Sequence, residues 1–206
     1  MKGIEDEARL RPHREAFAQM SIGAVVIQKA LTPEATAAVR EALEDETFTP
    51  VFLAHRGRYA ICRDLTAPEL LPALRDLASF VADERLSILE AGCLRLQRGD
   101  YALRRDDLAT RPHVDGRVYE LTADVSATSS GEAQVVYTRH GRSFFVAPQL
   151  SGSVTLVERH PTVERYDRYL NHAMRDRRVH RIRVWFARPN VEITAPPPFV
   201  HTRSPR

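Results

Sequence analysis

The chain has 206 residues, 43% of them hydrophobic, which is long enough for one well-buried core, and no apolar run approaches the roughly 20 residues that a membrane-spanning helix needs. Its formal charge is +3, but all but two of the 30 basic residues are arginine and 27 acidic residues are interspersed with them, so the balance gives little support to a nucleic-acid partner. Cys62 and Cys93 are far apart and lack CxxC spacing, which excludes a disulfide framework and a zinc cluster and leaves two buried free thiols.

The first 22 residues read as a charged leader with one short helix around Glu15 to Met20. No apolar core follows the charges at the N-terminus, so a secretory signal is not indicated and a cytoplasmic location is expected. Gly23-Ala-Val-Val-Ile-Gln predicts a short strand. Thr32 suits an N-cap and Pro33 a first helical residue, which predicts a helix from Pro33 to Leu43. Phe48 to Ile61 mixes β-formers with polar positions and predicts a strand pair or a strand and loop. Thr66-x-x-Glu69 reads as a capping box ahead of a helical face made of Leu70, Leu71, Leu74, Leu77, Phe80 and Val81.

From Leu86 the apolar period changes to two. Strands are predicted over Ser87 to Leu96, Val118 to Val125, Ala133 to Tyr137, Ser143 to Val146, Ser153 to Val157 and Val179 to Phe186. The stretch Tyr166 to Tyr169 reads as a loop or helical insertion. Strands in this number after N-terminal helices predict an α+β, mainly β fold: a double-stranded β-helix, or jelly roll, with the helices packed on one sheet. The expected domain spans 23–190, and 191–206 forms a Pro-rich tail.

The order of signals carries a resemblance. A strand ending in Gly99-Asp-Tyr101 is followed by His113-Val-Asp115, by Ser130-Gly-Glu opening a strand, by a Pro148-x-x-x-Gly152 turn, and by His172 ahead of an Arg-rich strand. This resembles the core of the Fe(II)/2-oxoglutarate-dependent oxygenases of the prolyl-hydroxylase type. The resemblance implies that His113, Asp115 and His172 hold iron as two histidines and a carboxylate, and that Arg181, with Arg183 as second choice, binds the 2-oxoglutarate carboxylate. It implies a dioxygenase that hydroxylates a C–H bond; the chain has little room for a second recognition domain, so a small or amino-acid-like substrate is expected, and a homodimer is left open.

The residues leave alternatives at each point. His113 and Asp115 are two apart, so in extended backbone they face one side; as a turn, Asp115-Gly116 would leave His113 on the surface. The usual offset from Gly99-Asp-Tyr places the metal-binding His instead at Leu103-Arg104-Arg105-Asp106-Asp107. In that register Arg104 or Arg105 stands where a ligand should be and Asp106 or Asp107 is the surviving carboxylate. His160 is a rival to His172. On the last strand, alternation sets Ile182, Val184 and Phe186 against the helices and turns Arg181, Arg183 and Trp185 inward, where guanidinium groups need anionic partners. The partner is either 2-oxoglutarate or a protein carboxylate, for which Asp106, Asp107, Glu120 and Asp124 are the candidates. The second function is therefore a non-catalytic protein of this fold that has lost the metal site and serves as a binding or scaffold module. A third is a cupin-like metal protein that makes no use of 2-oxoglutarate.

Overall fold

A computed structural model describes residues 7–63, 65–171, 175 and 177–191. Helix α1 (Glu7–Gln19) is longer than the sequence suggests, and it buries Leu10 and Phe17 in the main core. The Phe17 ring lies so close to Gly23 that a Cβ there would come within 2.3 Å of a ring carbon, which fixes how the chain enters β1 (Ala24–Ile27). Helix α2 (Pro33–Glu44) begins as predicted: Thr32 is extended and its Oγ1 accepts from the Ala35 N–H at 3.2 Å.

Helix α3 (Leu70–Ala82) starts later than the capping-box reading, and no side-chain cap bond closes its N-terminus. The reason lies in Pro68, which disfavours helical backbone at Ala67 and so prevents a start at Thr66. Asp83 ends α3 in the left-handed region at φ 54°, a conformation that Asp tolerates better than most residues.

Eleven strands are found among the described residues. They are β1, β2 (Thr49–Leu53), β3 (Gly57–Cys62), β4 (Ser87–Leu96), β5 (Tyr101–Ala102), β6 (Val118–Asp124), β7 (Ser130–Arg139), β8 (Arg142–Gln149), β9 (Val154–Arg159), β10 (Val163–Asp167) and β11 (Val179–Ala187). The predicted pair over Phe48 to Ile61 is the β2–β3 hairpin, and β4 spans the residues predicted for it. A short helix, α4 (Arg104–Thr110), stands where the sequence reading gave no helix.

All pairings are antiparallel, in the order β1-β9-β6-β11-β4-β3-β5-β10-β7-β8, with β2 on the outer side of β3. This ribbon of strands curls on itself, because Glu120 of β6 and Arg165 of β10 meet at 3.3 Å although four strands separate theirs in the order. The result is a nearly closed double-stranded β-helix with α1 to α3 on one side.

The two faces of its central strands are both buried. Leu121, Ala123, Leu156, Ile182, Val184 and Phe186 face the helices and join Leu43, Leu74, Leu77 and Val81 in one cluster. The opposite face looks into the barrel, where the apolar clusters around Leu94 and Val135 flank a polar centre. Every residue of β6 and of β11 is buried, so an inward charge on either strand has no route to water. Among the described residues no helix is long and apolar enough to cross a membrane.

Candidate functional site

The side chains that alternation turns into the barrel form one ionic network. Arg159, at the end of β9, donates from Nη1 to Glu120 of β6 and from Nη2 to Asp107 Oδ2 of α4 at 2.5 Å. Glu120 Oε1 faces Arg165 Nε of β10 at 3.3 Å, and Arg165 Nη2 reaches Asp167 at 3.1 Å. Asp167 in turn accepts from Arg181 Nη1 of β11, whose Nη2 donates to the Ala133 carbonyl at 2.9 Å. Asp107 Oδ2 also accepts from the Arg165 backbone N–H at 3.0 Å. The chain Asp107, Arg159, Glu120, Arg165, Asp167, Arg181 therefore ties α4 to four strands.

Burial sets its electrostatics. The side chains of Arg159 and Glu120 are both 0% exposed. Burial alone would push the Glu120 carboxyl up, but Arg165, Arg159 and Arg183 outweigh it and hold it below the usual range. Burial would likewise favour deprotonation of Arg159 and Arg165, yet their carboxylates push both further into the charged form. Glu120, Arg159 and Arg165 are thus held in their charged forms, and the network ties the elements together. A second node lies beside it: Asp106 accepts from Arg56 Nε at 2.9 Å and from the Tyr59 hydroxyl at 2.7 Å.

Arg183 is the fourth inward arginine. It is 5% exposed, lies 5.7 Å from the Trp185 ring centroid, and contacts Thr110 Oγ1 at 3.4 Å. Arg181 meets the expectation that it faces inward, but its partner is Asp167, which was not among the four carboxylates considered. Asp167 was missed because Tyr166 and Asp167 lie in β10 and not in a loop; Val163, Arg165 and Asp167 are its buried face. The alternation was the available signal, obscured because two of the three inward residues are charged.

Two of the three residues expected at a metal site, His113 and Asp115, are among the described residues. His113 is half-buried and Asp115 exposed, on the segment between α4 and β6. His172 lies outside the described residues. His160 is exposed, with Nε2 4.0 Å from Glu158. Arg104 and Arg105 are exposed on α4, and Arg104 pairs with Glu164 at 3.4 Å. Asp106 and Asp107, the two carboxylates of the alternative register, are both buried and turned toward arginines.

Among the described residues no three His, Cys, Asp or Glu side chains are grouped so as to hold a metal ion. The described donors of the barrel centre do not fit Fe(II). A divalent cation there would meet three carboxylates already bound to guanidinium groups, and four buried arginines would repel it.

The architecture itself is shared with known enzymes. A 2OG-Fe(II) oxygenase family oxidoreductase from Burkholderia pseudomallei superposes with a TM-score of 0.65 at 12% identity, over 93% of this chain and 95% of that one. The non-heme alpha ketoglutarate dependent epimerase SnoN from nogalamycin biosynthesis gives 0.70 at 12% identity, over 98% and 93%. A Pseudomonas putida prolyl-4-hydroxylase gives 0.61 at 13% identity, over 87% and 98%. The fold is that of the Fe(II)/2-oxoglutarate-dependent oxygenases. No family model and no curated protein sequence matches the chain.

Proposed function

We propose that this protein is a non-catalytic double-stranded β-helix, a binding or scaffold module in which the polar centre of the oxygenase fold is given over to internal ion pairs. One observation supports this above the others: the guanidinium of Arg159 is locked between Asp107 and Glu120 at the centre of the barrel. A protein cation bound to two carboxylates leaves neither carboxylate free to hold a metal ion. Arg181, the first choice for the co-substrate carboxylate, is engaged by Asp167.

The likeness of fold favours a second reading, an oxygenase that uses iron at His113, Asp115 and His172 and 2-oxoglutarate at Arg181 or Arg183. Bound there, iron would supply the activation of O2. Anaerobic titration of the protein with Fe(II) and then 2-oxoglutarate separates the two. The scaffold reading expects no stoichiometric iron and no metal-to-ligand charge-transfer band in the visible. A saturable band that is lost in His113→Ala would overturn it in favour of the oxygenase.

A further inference from the structure

A cavity of about 390 Å³ lies outside the barrel, lined by Arg40 and Glu44 of α2, Thr128, and Arg177, Arg178 and His180 at the start of β11. His180 has the same parity on β11 as Ile182 and Val184, so its side chain belongs to the helix-facing surface and not to the ionic network. The size is within the range of small-molecule sites.

Among the described lining residues the charges of this cavity are not balanced. Arg40, Arg177 and Arg178 contribute three guanidinium groups against the one carboxylate of Glu44. None of the three arginines has a carboxylate within ion-pair distance among the described residues, unlike the inward arginines 159, 165 and 181. Arg177 and Arg178 are exposed, but Arg40 is half-buried and His180 is 4% exposed.

The floor of the cavity is held by the backbone. The His180 N–H donates to Ser126 Oγ at 3.1 Å and its carbonyl accepts from the Val125 N–H at 3.0 Å, while the Phe48 ring meets the imidazole edge-on. The imidazole Nδ1 is buried with no hydrogen-bond partner among the described residues. A buried polar nitrogen without a partner is costly in a folded protein unless something completes it.

We propose that this cavity is a binding site for a small phosphate-bearing molecule, with Arg40, Arg177 and Arg178 neutralising the phosphate and His180 forming the buried wall. Guanidinium groups suit the oxygens of a phosphate, and three of them converging from a helix and a strand start favour a dianion over a monoanion. The charges facing His180 agree. Burial is the main force that keeps its imidazole neutral, Glu44 opposes it, and Arg95, Arg178 and Arg40 add to it, so an arriving dianion would reverse much of the cationic part. The site lies apart from the barrel centre, and the proposal stands whether or not the protein binds iron.

The test uses the full chain with inorganic phosphate and with glycerol 3-phosphate, following the His180 ring C–H signals by NMR at fixed ionic strength. The expected result is saturable binding, tighter for the phosphomonoester, with the His180 pKa raised by about one unit or more on saturation. Arg40→Ala and Arg178→Ala should each weaken binding by about tenfold, as for loss of a hydrogen bond to a charged group. Glu44→Gln should tighten it, a change of opposite sign that a folding defect would not give. Shifts that grow linearly with concentration, or that are the same in the arginine variants, would overturn the proposal. Binding of a single-stranded RNA without binding of glycerol 3-phosphate would overturn it equally.

Discussion

Arg159 and Glu120 form an ion pair with no solvent exposure on either side chain, at the point where β9 and β6 face α4 and β10 across the barrel. Desolvating two such charges costs several kcal/mol each, and only full engagement of their hydrogen-bonding groups offsets it. Asp107 and Arg165 supply part of that engagement and join the four side chains into one unit, while Arg159 Nε and Glu120 Oε1 have no hydrogen-bond partner among the described residues.

Removing one member of that unit leaves the others buried and uncompensated. Glu120→Gln is expected to lower the folding free energy by about 3–5 kcal/mol. An apolar replacement of the whole pair, Arg159→Met with Glu120→Leu, should cost much less than the single change, because it removes the desolvation penalty along with the attraction. Urea denaturation of the three proteins checks this. A double variant no more stable than Glu120→Gln would show that the pair does more than cancel its own burial.

The second prediction concerns Arg181 and Asp167. Arg181→Ala should destabilise the fold by about 3–5 kcal/mol, and by the same amount with or without 2-oxoglutarate, since the partner lies within the chain. Melting curves with and without 2-oxoglutarate decide it. Stabilisation of the wild type by 2-oxoglutarate that disappears in Arg181→Ala would assign the arginine to an external anion.

Much of this architecture was legible in the sequence because it rests on local signals. The Thr32-Pro33 start of α2, the span of β4 and the inward face of β11 all follow from capping and period-two patterning. What escaped was long-range. Asp167 is 14 residues from Arg181 and Asp107 is 52 from Arg159, and nothing local marks such partners. Strand β10 was hidden for a related reason: Arg165 and Asp167 occupy positions where a sequence reading looks for apolar residues, and only the fold shows that they bury as a pair. Helix α1 looked peripheral because its first two turns are dominated by charges, yet Leu10 and Phe17 are both core residues.

The cysteines offer a third test. Cys62 and Cys93 are directly opposed on β3 and β4, and both are buried within the helix-facing core. Burial, with Cys62 beside it, pushes the Cys93 thiol well above its ordinary pKa, and the thiolate is the reactive form. Native protein at pH 8 should therefore leave Cys93 unmodified by iodoacetamide for as long as it stays folded, while urea should expose both thiols together. Rapid labelling of Cys93 in the native state would contradict this packing.

The last prediction is a dependence of stability on pH that can be traced to one side chain. Burial and the nearby arginines lower the His180 pKa to about 4, against 6.5 for a free histidine. Between these values the unfolded chain binds a proton that the folded chain does not, so stability rises with pH through this window and falls as the solution is acidified from 6.5 toward 4. About 2 kcal/mol should be lost over that range. His13, lowered by its own burial and by Arg9, adds a contribution of the same sign, so the decisive quantity is the difference between wild type and His180→Gln. The lowered carboxyl of Glu120 acts in a separate window, because its stabilisation is complete above the unfolded carboxyl value of 4.5 and is lost only below it. Urea melts at pH 7.5 and pH 5, in a buffer free of phosphate, should show a smaller acid loss for His180→Gln than for wild type. Equal losses in the two proteins would mean that His180 takes up its proton in the folded state as readily as in the unfolded one.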